Sequence, residues 1–355
     1  MPLTGFHCLA TEMSSTKKPI RSKSDPESRS SAARGFDAEL AALEALRHAA
    51  LDAPALEQLR RALGHKNNYV VSKAARIVEE NAIAALLPGV IAAYDRFFHD
   101  AEKTDPQCWA KNALVKTLVA LEHREKDTYL RGLRHHQMEA TWGGTTDTAG
   151  TLRGACAHAL VDCPGVSDQE LLSLFVDLFI DTDKAVRIEA ARAIGNVGGP
   201  SAVLLLRLRA TLGKDEPEVL GACYAGLLDL EGTRAIEFVA RHLDEGDDNS
   251  AEAAFALSAI RAPEALAALI ARRTAAADEW FDGVLLSSIA LCRIPEAVDY
   301  LAGMIERDER RASAAIEAIG RAGPSDETRA RIEASVGKAG NPRLETALRE
   351  HLGER

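Results

Sequence analysis

A chain of 355 residues with 46% apolar but only 5% aromatic content suits two globular domains or one elongated repeat array. The apolar residues are mostly Ala and Leu, which favour helices over strands. A net charge of −10 argues against a general nucleic-acid binder, because phosphate contacts need clustered Lys and Arg. The longest apolar candidate, Leu171 to Ile180, is interrupted by Asp177 and is too short to span a membrane.

Residues 1–35 carry six basic residues (Lys17, Lys18, Arg21, Lys23, Arg29, Arg34) and three acids (Glu12, Asp25, Glu27) among many serines. That is a net +3, which leaves −13 for the body. So little apolar content cannot offset the entropy of ordering, so the composition predicts a disordered tail over 1–35 and a folded body over 36–355. The N-terminus lacks the charged-then-apolar order of a secretory signal. The six cysteines (Cys8, Cys108, Cys156, Cys163, Cys223, Cys292) form no CxxC pair. They are expected as small buried residues in a reducing compartment, hence a cytoplasmic protein.

From Phe36 onward, helical patterns of 12–16 residues alternate with short breaks. "NNYVVSKAARIVEE" (67–80) is the first clear copy of a motif. "YDRFFHD" (94–100) places Tyr94, Phe97 and Phe98 at i, i+3 and i+4, a core face. "TLRGACAHALV" (151–161) follows. In "DTDKAVRIEAARAIGNVGGP" (181–200), Val186, Ala190, Ala193, Ile194 and Val197 fall on one face of a helix. Ile188, Ala191 and Gly195 make a second stripe of small residues, fit for close approach of a neighbour. Gly198 and Gly199 suit a helix end, and Pro200 the first turn of the next helix. Further copies run through "EPEVLGACYAGLLDLEG" (216–232), Pro263 in "SAIRAPEA", Pro295 in "ALCRIPEA" and "EAIGRAGP" (317–324). A period of 30–34 residues with two helices each predicts an all-α, right-handed α-solenoid of about nine to ten helix pairs, without a sheet.

Within this array an acid recurs six residues before a base: Asp105 with Lys111, Asp147 with Arg153, Asp181 with Arg187. At these residues the chain resembles the HEAT-repeat, armadillo-like proteins, in particular the short HEAT-like repeats of bilin-lyase type, over roughly residues 37–353. The resemblance implies that these six residues form a structural ladder between neighbouring repeats. Lys214 and Leu220 stand at the next equivalent positions, so the ladder is expected to stop there. A recurrent basic partner keeps an acid ionised, the opposite of what a general acid requires; no catalytic residue is assigned.

Lys111 to Arg153 spans 42 residues and Arg153 to Arg187 only 34. The excess falls in "RHHQMEATWGGTTDTAG" (134–150), where the Thr-Thr-Asp-Thr run suits a helix cap. Extra length in a solenoid often serves binding. Trp142, His135 and His136 are therefore the candidate partner-binding residues, against the alternative that Trp142 folds over the core. Adjacent histidines on a helix do not share an ion, and no HExxH or Cys accompanies them, so neither a metal nor a cofactor is expected. "DEGDDN" (244–249) lacks the calcium-loop pattern.

These observations favour a non-enzymatic scaffold for protein–protein interaction, with a protein or peptide partner, a basic one given the −13 body, and with neither nucleic acid nor membrane. The repeat resemblance also implies two enzymatic readings, a bilin lyase or isomerase and a DNA glycosylase on a HEAT-like scaffold; the acidic body weighs against the second. Deleting residues 1–35 is expected to leave the melting temperature of the body unchanged, and a calorimetric comparison of the truncated and full chains checks it.

Overall fold

The computed structural model describes residues 37–47, 51–275 and 278–353; the expected tail, its boundary with the body and Cys8 lie outside them. The chain divides into two units, Met1–Glu57 and Gln58–Arg355. The described part of the first holds a helix over 37–46 and the start of α1 (Ala53–Leu63); the rest belongs to the second.

In the second unit, one layer consists of nine helices that each pack on the next: α2 (Asn68–Glu80), α4 (Trp109–Ala120), α6 (Gly150–Val161), α8 (Lys184–Val197), α10 (Pro217–Glu231), α12 (Asp248–Ala259), α14 (Glu279–Cys292), α16 (Ala312–Ala322) and α18 (Pro342–Leu352). Between them run α3 (Leu87–Arg96), α5 (Lys126–Leu133), α7 (Asp168–Phe179), α9 (Gly199–Leu212), α11 (Ile236–Ala240), α13 (Pro263–Ala275), α15 (Pro295–Glu306) and α17 (Asp326–Ala339). That makes eight helix pairs and a closing helix among the described residues of this unit, an all-α solenoid.

Local chemistry sets the helix starts. Asn67, Asp183, Asp247, Asp278, Ser325 and Asn341 each accept a backbone N–H of the first turn, and Ser167 with Glu170 forms a capping box. Pro200, Pro217, Pro295 and Pro342 sit in first turns, where no intrahelical N–H bond is lost. Gly198 and Gly199 both adopt positive φ, 77° and 76°, which turns the chain from α8 into α9 without the steric cost a Cβ brings.

Small residues set the distance between repeats. Val186, Ala190, Ala193 and Ile194 are buried. A Cβ built on Gly195 lies 3.7 Å from the Cα of Gly226, so α8 and α10 approach almost backbone to backbone. Cys108, Cys156, Cys163, Cys223 and Cys292 are buried free thiols; burial pushes Cys156 and Cys223 up to about 12, which leaves them as unreactive apolar filler.

The layer helices begin 41 residues apart at α2, α4 and α6, then 30–34 apart. Both early repeats are therefore long. The first holds a segment after α3 with a single helical turn, Ala101–Thr104, and a 3₁₀ turn, Pro106–Cys108. The second holds an antiparallel hairpin, β1 (Met138–Thr141) with β2 (Gly144–Asp147), in the register Met138↔Asp147 and Thr141↔Gly144. The expectation of a structure without a sheet is thus corrected. Trp142 and Gly143 form a two-residue turn, and Gly143 takes φ +99°, the conformation that tight hairpin turns demand. Thr145 and Thr146 pair in the strand instead of capping α6, while Asp147 accepts the Ala149 amide at 3.0 Å.

Ala190 is fully buried where α8 meets its neighbours. Ala190→Glu places an unpaired charge there and is expected to cost more than about 3 kcal/mol, read as a large fall in the melting temperature.

Candidate functional site

The inter-repeat turns bring the acid and base positions into one continuous polar ladder. It starts at Asn68, whose Nδ2 donates to Asp105 Oδ1 at 3.0 Å. Asp105 is fully buried. It accepts the Ala110 and Lys111 amides at 2.8 and 3.0 Å and pairs with Lys111 Nζ at 3.0 Å. The buried Lys111 also donates to the Phe97 carbonyl at 3.2 Å and to Gln137 Oε1 at 3.0 Å. A buried ammonium with three acceptors has its desolvation offset by hydrogen bonds.

Gln137 carries the ladder into the hairpin. Its Nε2 donates to the Asp105 carbonyl at 2.8 Å and to Glu139 Oε1 at 2.6 Å, and its amide donates to Asp147 Oδ1 at 3.0 Å. Glu139 accepts further from the Gln107 amide at 2.6 Å and Thr148 Oγ1 at 2.8 Å. These donors outweigh the opposing effect of desolvation, and hold its carboxyl below the usual range.

Asp147 is the hub. Burial raises its pKa, but the Gln137 and Ala149 amides, His136 and Arg153 together bring it down to about 2. Arg153, 1% exposed, donates from Nη1 to Asp147 Oδ2 at 2.6 Å and to the His135 carbonyl at 3.1 Å, and from Nη2 to Asp181 Oδ2 at 2.9 Å. Asp181 in turn accepts the Asp183 amide at 2.9 Å, and its carbonyl accepts Arg187 Nη1 at 2.6 Å.

The expectation that the ladder stops at Lys214 and Leu220 is corrected: it runs on past Arg187. Asp215, one residue past Lys214, accepts Arg187 Nη2 at 2.9 Å, and Glu216 pairs with the same group. Arg209 adds a contact at 3.3 Å. Burial raises the Asp215 pKa, but the Arg187 hydrogen bonds and the Glu216 amide lower it further. Asp181 and Asp215 are 34 residues apart, the same step as Asp147 to Asp181, so the spacing of the acids alone marks this rung. Asn68, Gln137 and Glu139 carry no such periodic signal.

The two histidines point apart. His135 is half-buried, its ring edge-on to Phe98 with 4.9 Å between centroids and its Nε2 at 3.1 Å from Gln137 Oε1. Desolvation is the main cause that lowers its pKa. His136 is exposed, with Nδ1 at 2.7 Å from Asp147 Oδ2. Trp142 stands wholly exposed at the hairpin tip, which removes the alternative that it folds over the core. Met138 on the same hairpin is half-exposed, as is Trp109 at the start of α4, which leans on Tyr69 at 5.7 Å between centroids. The site is thus a projecting apolar tip on a base fixed by buried charge pairs.

Asp147 binds its proton far more weakly in the folded chain than in the unfolded one. Its stabilising contribution is present above about pH 4 and is lost as the pH falls toward about 2. His135 acts earlier: the unfolded ring takes a proton near 6.5 and the buried one resists it, so stability declines as the pH drops below about 6.5. Asp147→Asn is expected to lower stability at pH 7 by about 2 kcal/mol or more and to flatten the loss between pH 4 and 2; denaturant unfolding as a function of pH reads both.

A family model of HEAT repeats matches residues 172–258, the stretch from within α7 to near the end of α12. No curated protein matches the chain. Among solved structures, an engineered protein from the Northeast Structural Genomics Consortium is similar at 18% identity and a TM-score of 0.39, covering 93% of this chain and 95% of that one; a score that low carries no argument about function. The matched repeats share their stacking pattern with the helix pairs on either side of them: the chain is an α-solenoid whose segment 172–258 is similar to HEAT repeats.

Proposed function

We propose that the chain is a non-enzymatic scaffold that binds another protein, and that the hairpin over 138–147 is its principal contact. The observation that carries this reading is the full exposure of Trp142 on a hairpin whose base is tied into buried charge pairs. A tryptophan turned to water is costly to keep there and is the residue type most enriched in binding hot spots. A preformed base limits the ordering cost when a partner closes over the tip. His136 borders the same surface, while His135 supports it from below through Gln137 and Phe98.

The acids and bases of the ladder are spent on one another. A carboxyl held at about 2 stays ionised at neutral pH and does not serve as a proton donor, which favours a binding role over a catalytic one. The −13 body favours a basic protein or peptide segment as the partner. No helix among the described residues is long and apolar enough to cross a membrane. The five buried thiols suit a reducing, cytoplasmic setting.

Trp142→Ala separates this reading from a purely structural one. Capture from a native lysate with the wild-type chain and with the variant, quantified by mass spectrometry, is expected to show specific partners retained by the first and lost by the second. Titration with the recovered partner should then show an affinity loss of at least ~1 kcal/mol, with an unchanged melting temperature. Equal retention by both proteins overturns the proposal.

A further inference from the structure

The two edges of the hairpin are not equally open. Thr141 pairs with Gly144 across the tight turn, and the Thr148 amide donates to the Gln137 carbonyl at 2.9 Å. Bonded and unbonded pairs alternate along an antiparallel ladder. Gln137, Glu139 and Thr141 therefore bond across the hairpin, while Met138 and Ala140 turn their backbone groups outward from β1, and Thr145 and Asp147 turn theirs outward from β2. Among the described residues the sheet has no third strand, and nothing bonds to these outward groups. Asp147 is committed to the polar ladder, with its side chain 18% exposed, so the solenoid crowds the lower half of the β2 edge. Met138 and Ala140 are both exposed, which leaves the β1 edge open along its length.

An open edge normally carries Lys, Pro or a bulge that discourages pairing. The β1 sequence, Met-Glu-Ala-Thr, has no Lys or Pro, and its register runs unbroken from Met138 to Thr141. Its one charge is held by the base of the hairpin, but only by one oxygen. The Gln107 amide, Gln137 Nε2 and Thr148 Oγ1 all donate to Glu139 Oε1. Among the described residues nothing donates to Oε2, and no Lys or Arg pairs with this carboxylate. The strand thus offers a row of unpaired backbone groups with half of an ionised carboxylate still free beside it.

We infer that the β1 edge takes a third strand from the partner, an extended segment of apolar-basic-apolar pattern whose base lies opposite Glu139. The inference rests on the reading of the hairpin as the principal contact and names the segment it binds. The chemistry of the edge selects that occupant. Outward N–H and C=O groups recur every second residue, about 6.6 Å apart, a spacing that another extended backbone matches. Directly opposite residues share a face of the sheet and interact. A Lys or Arg opposite Glu139 therefore reaches the free Oε2, and its two neighbours turn to the other face, where they meet Met138 and Ala140. A second copy of the hairpin would instead bring a like charge to Glu139, which disfavours self-pairing. A third strand also stabilises a hairpin that two short strands alone hold only marginally.

The probe is a random library of short peptides displayed on phage and selected on the full chain. Enriched peptides are expected to share the apolar-basic-apolar alternation. Ala140→Pro removes an outward N–H and spares the bonds between β1 and β2. It is expected to weaken these peptides at least ~10-fold, the effect of one main-chain bond lost with its acceptor left unpaired, at an unchanged melting temperature. Synthetic copies of the peptides carrying N-methyl groups on alternate amides give a second measurement that does not depend on how the variant folds. Methylation of one alternate set is expected to abolish binding, and of the other set to leave it intact, because only one side of the added strand faces β1. Peptides that lose binding to Trp142→Ala but tolerate Ala140→Pro and both methylation patterns overturn the inference and leave the hairpin reading standing. A selection that enriches no peptide, or only peptides without a base in the alternation, overturns it as well.

Discussion

The Arg153 guanidinium is almost entirely withdrawn from water, and Asp147, Asp181 and the His135 carbonyl surround it and accept its hydrogen bonds. Each acceptor comes from a different part of the chain: the last hairpin strand, the turn after α7, and the segment after α5. Removing any one leaves a buried charge short of a partner, which costs far more than the net worth of the pair. The relative placement of these three segments is therefore fixed by one side chain. Lys111 does the same one repeat earlier with Asp105, Gln137 and the Phe97 carbonyl.

That constraint explains why an irregular insertion keeps a defined shape. Two four-residue strands are marginal alone in water. Here Gln137 and Glu139 on one side and Asp147 on the other are held by groups that belong to the solenoid, so the hairpin inherits its order from the repeats. The exposure of Trp142 at the tip and the burial of the charges at the base are two sides of one arrangement. The chain spends its hydrogen bonds below and leaves its largest apolar side chain above.

The sequence shows the solenoid because its signals repeat. Val186, Ala190 and Ile194 mark a buried face by spacing alone, and the recurring offset from Asp181 to Arg187 marks a turn. The hairpin is illegible by the same means, since it occurs once and its strands are too short for alternation to register. Its clearest signal is Trp142-Gly143-Gly144, a tight turn hidden in what reads as surplus length. Gln137 joins the ladder as a neutral stand-in for an acid, so no search for charge finds it. The first long repeat is likewise masked: Asn68, not a base, occupies the rung before Asp105, and no reference spacing exists from which to count the excess.

The charge pairs are not equally sheltered along the array. Arg153 and Lys111 sit beyond the reach of dissolved ions, whereas the pairs of the last repeats stand in solvent: Arg331 and Lys338, 40% and 60% exposed, share Glu306. Dissolved salt screens the second kind and leaves the first almost untouched. In concentrated salt the exposed pairs, among them Arg331–Glu306 near the C-terminal end and Arg131–Asp95 on α3 and α5, lose their support, while the sheltered ones, Arg153 with Asp147 and Asp181 and Arg311 with Asp282, keep theirs. The base of the hairpin, tied down by the sheltered pairs, therefore holds its geometry across changes in ionic surroundings.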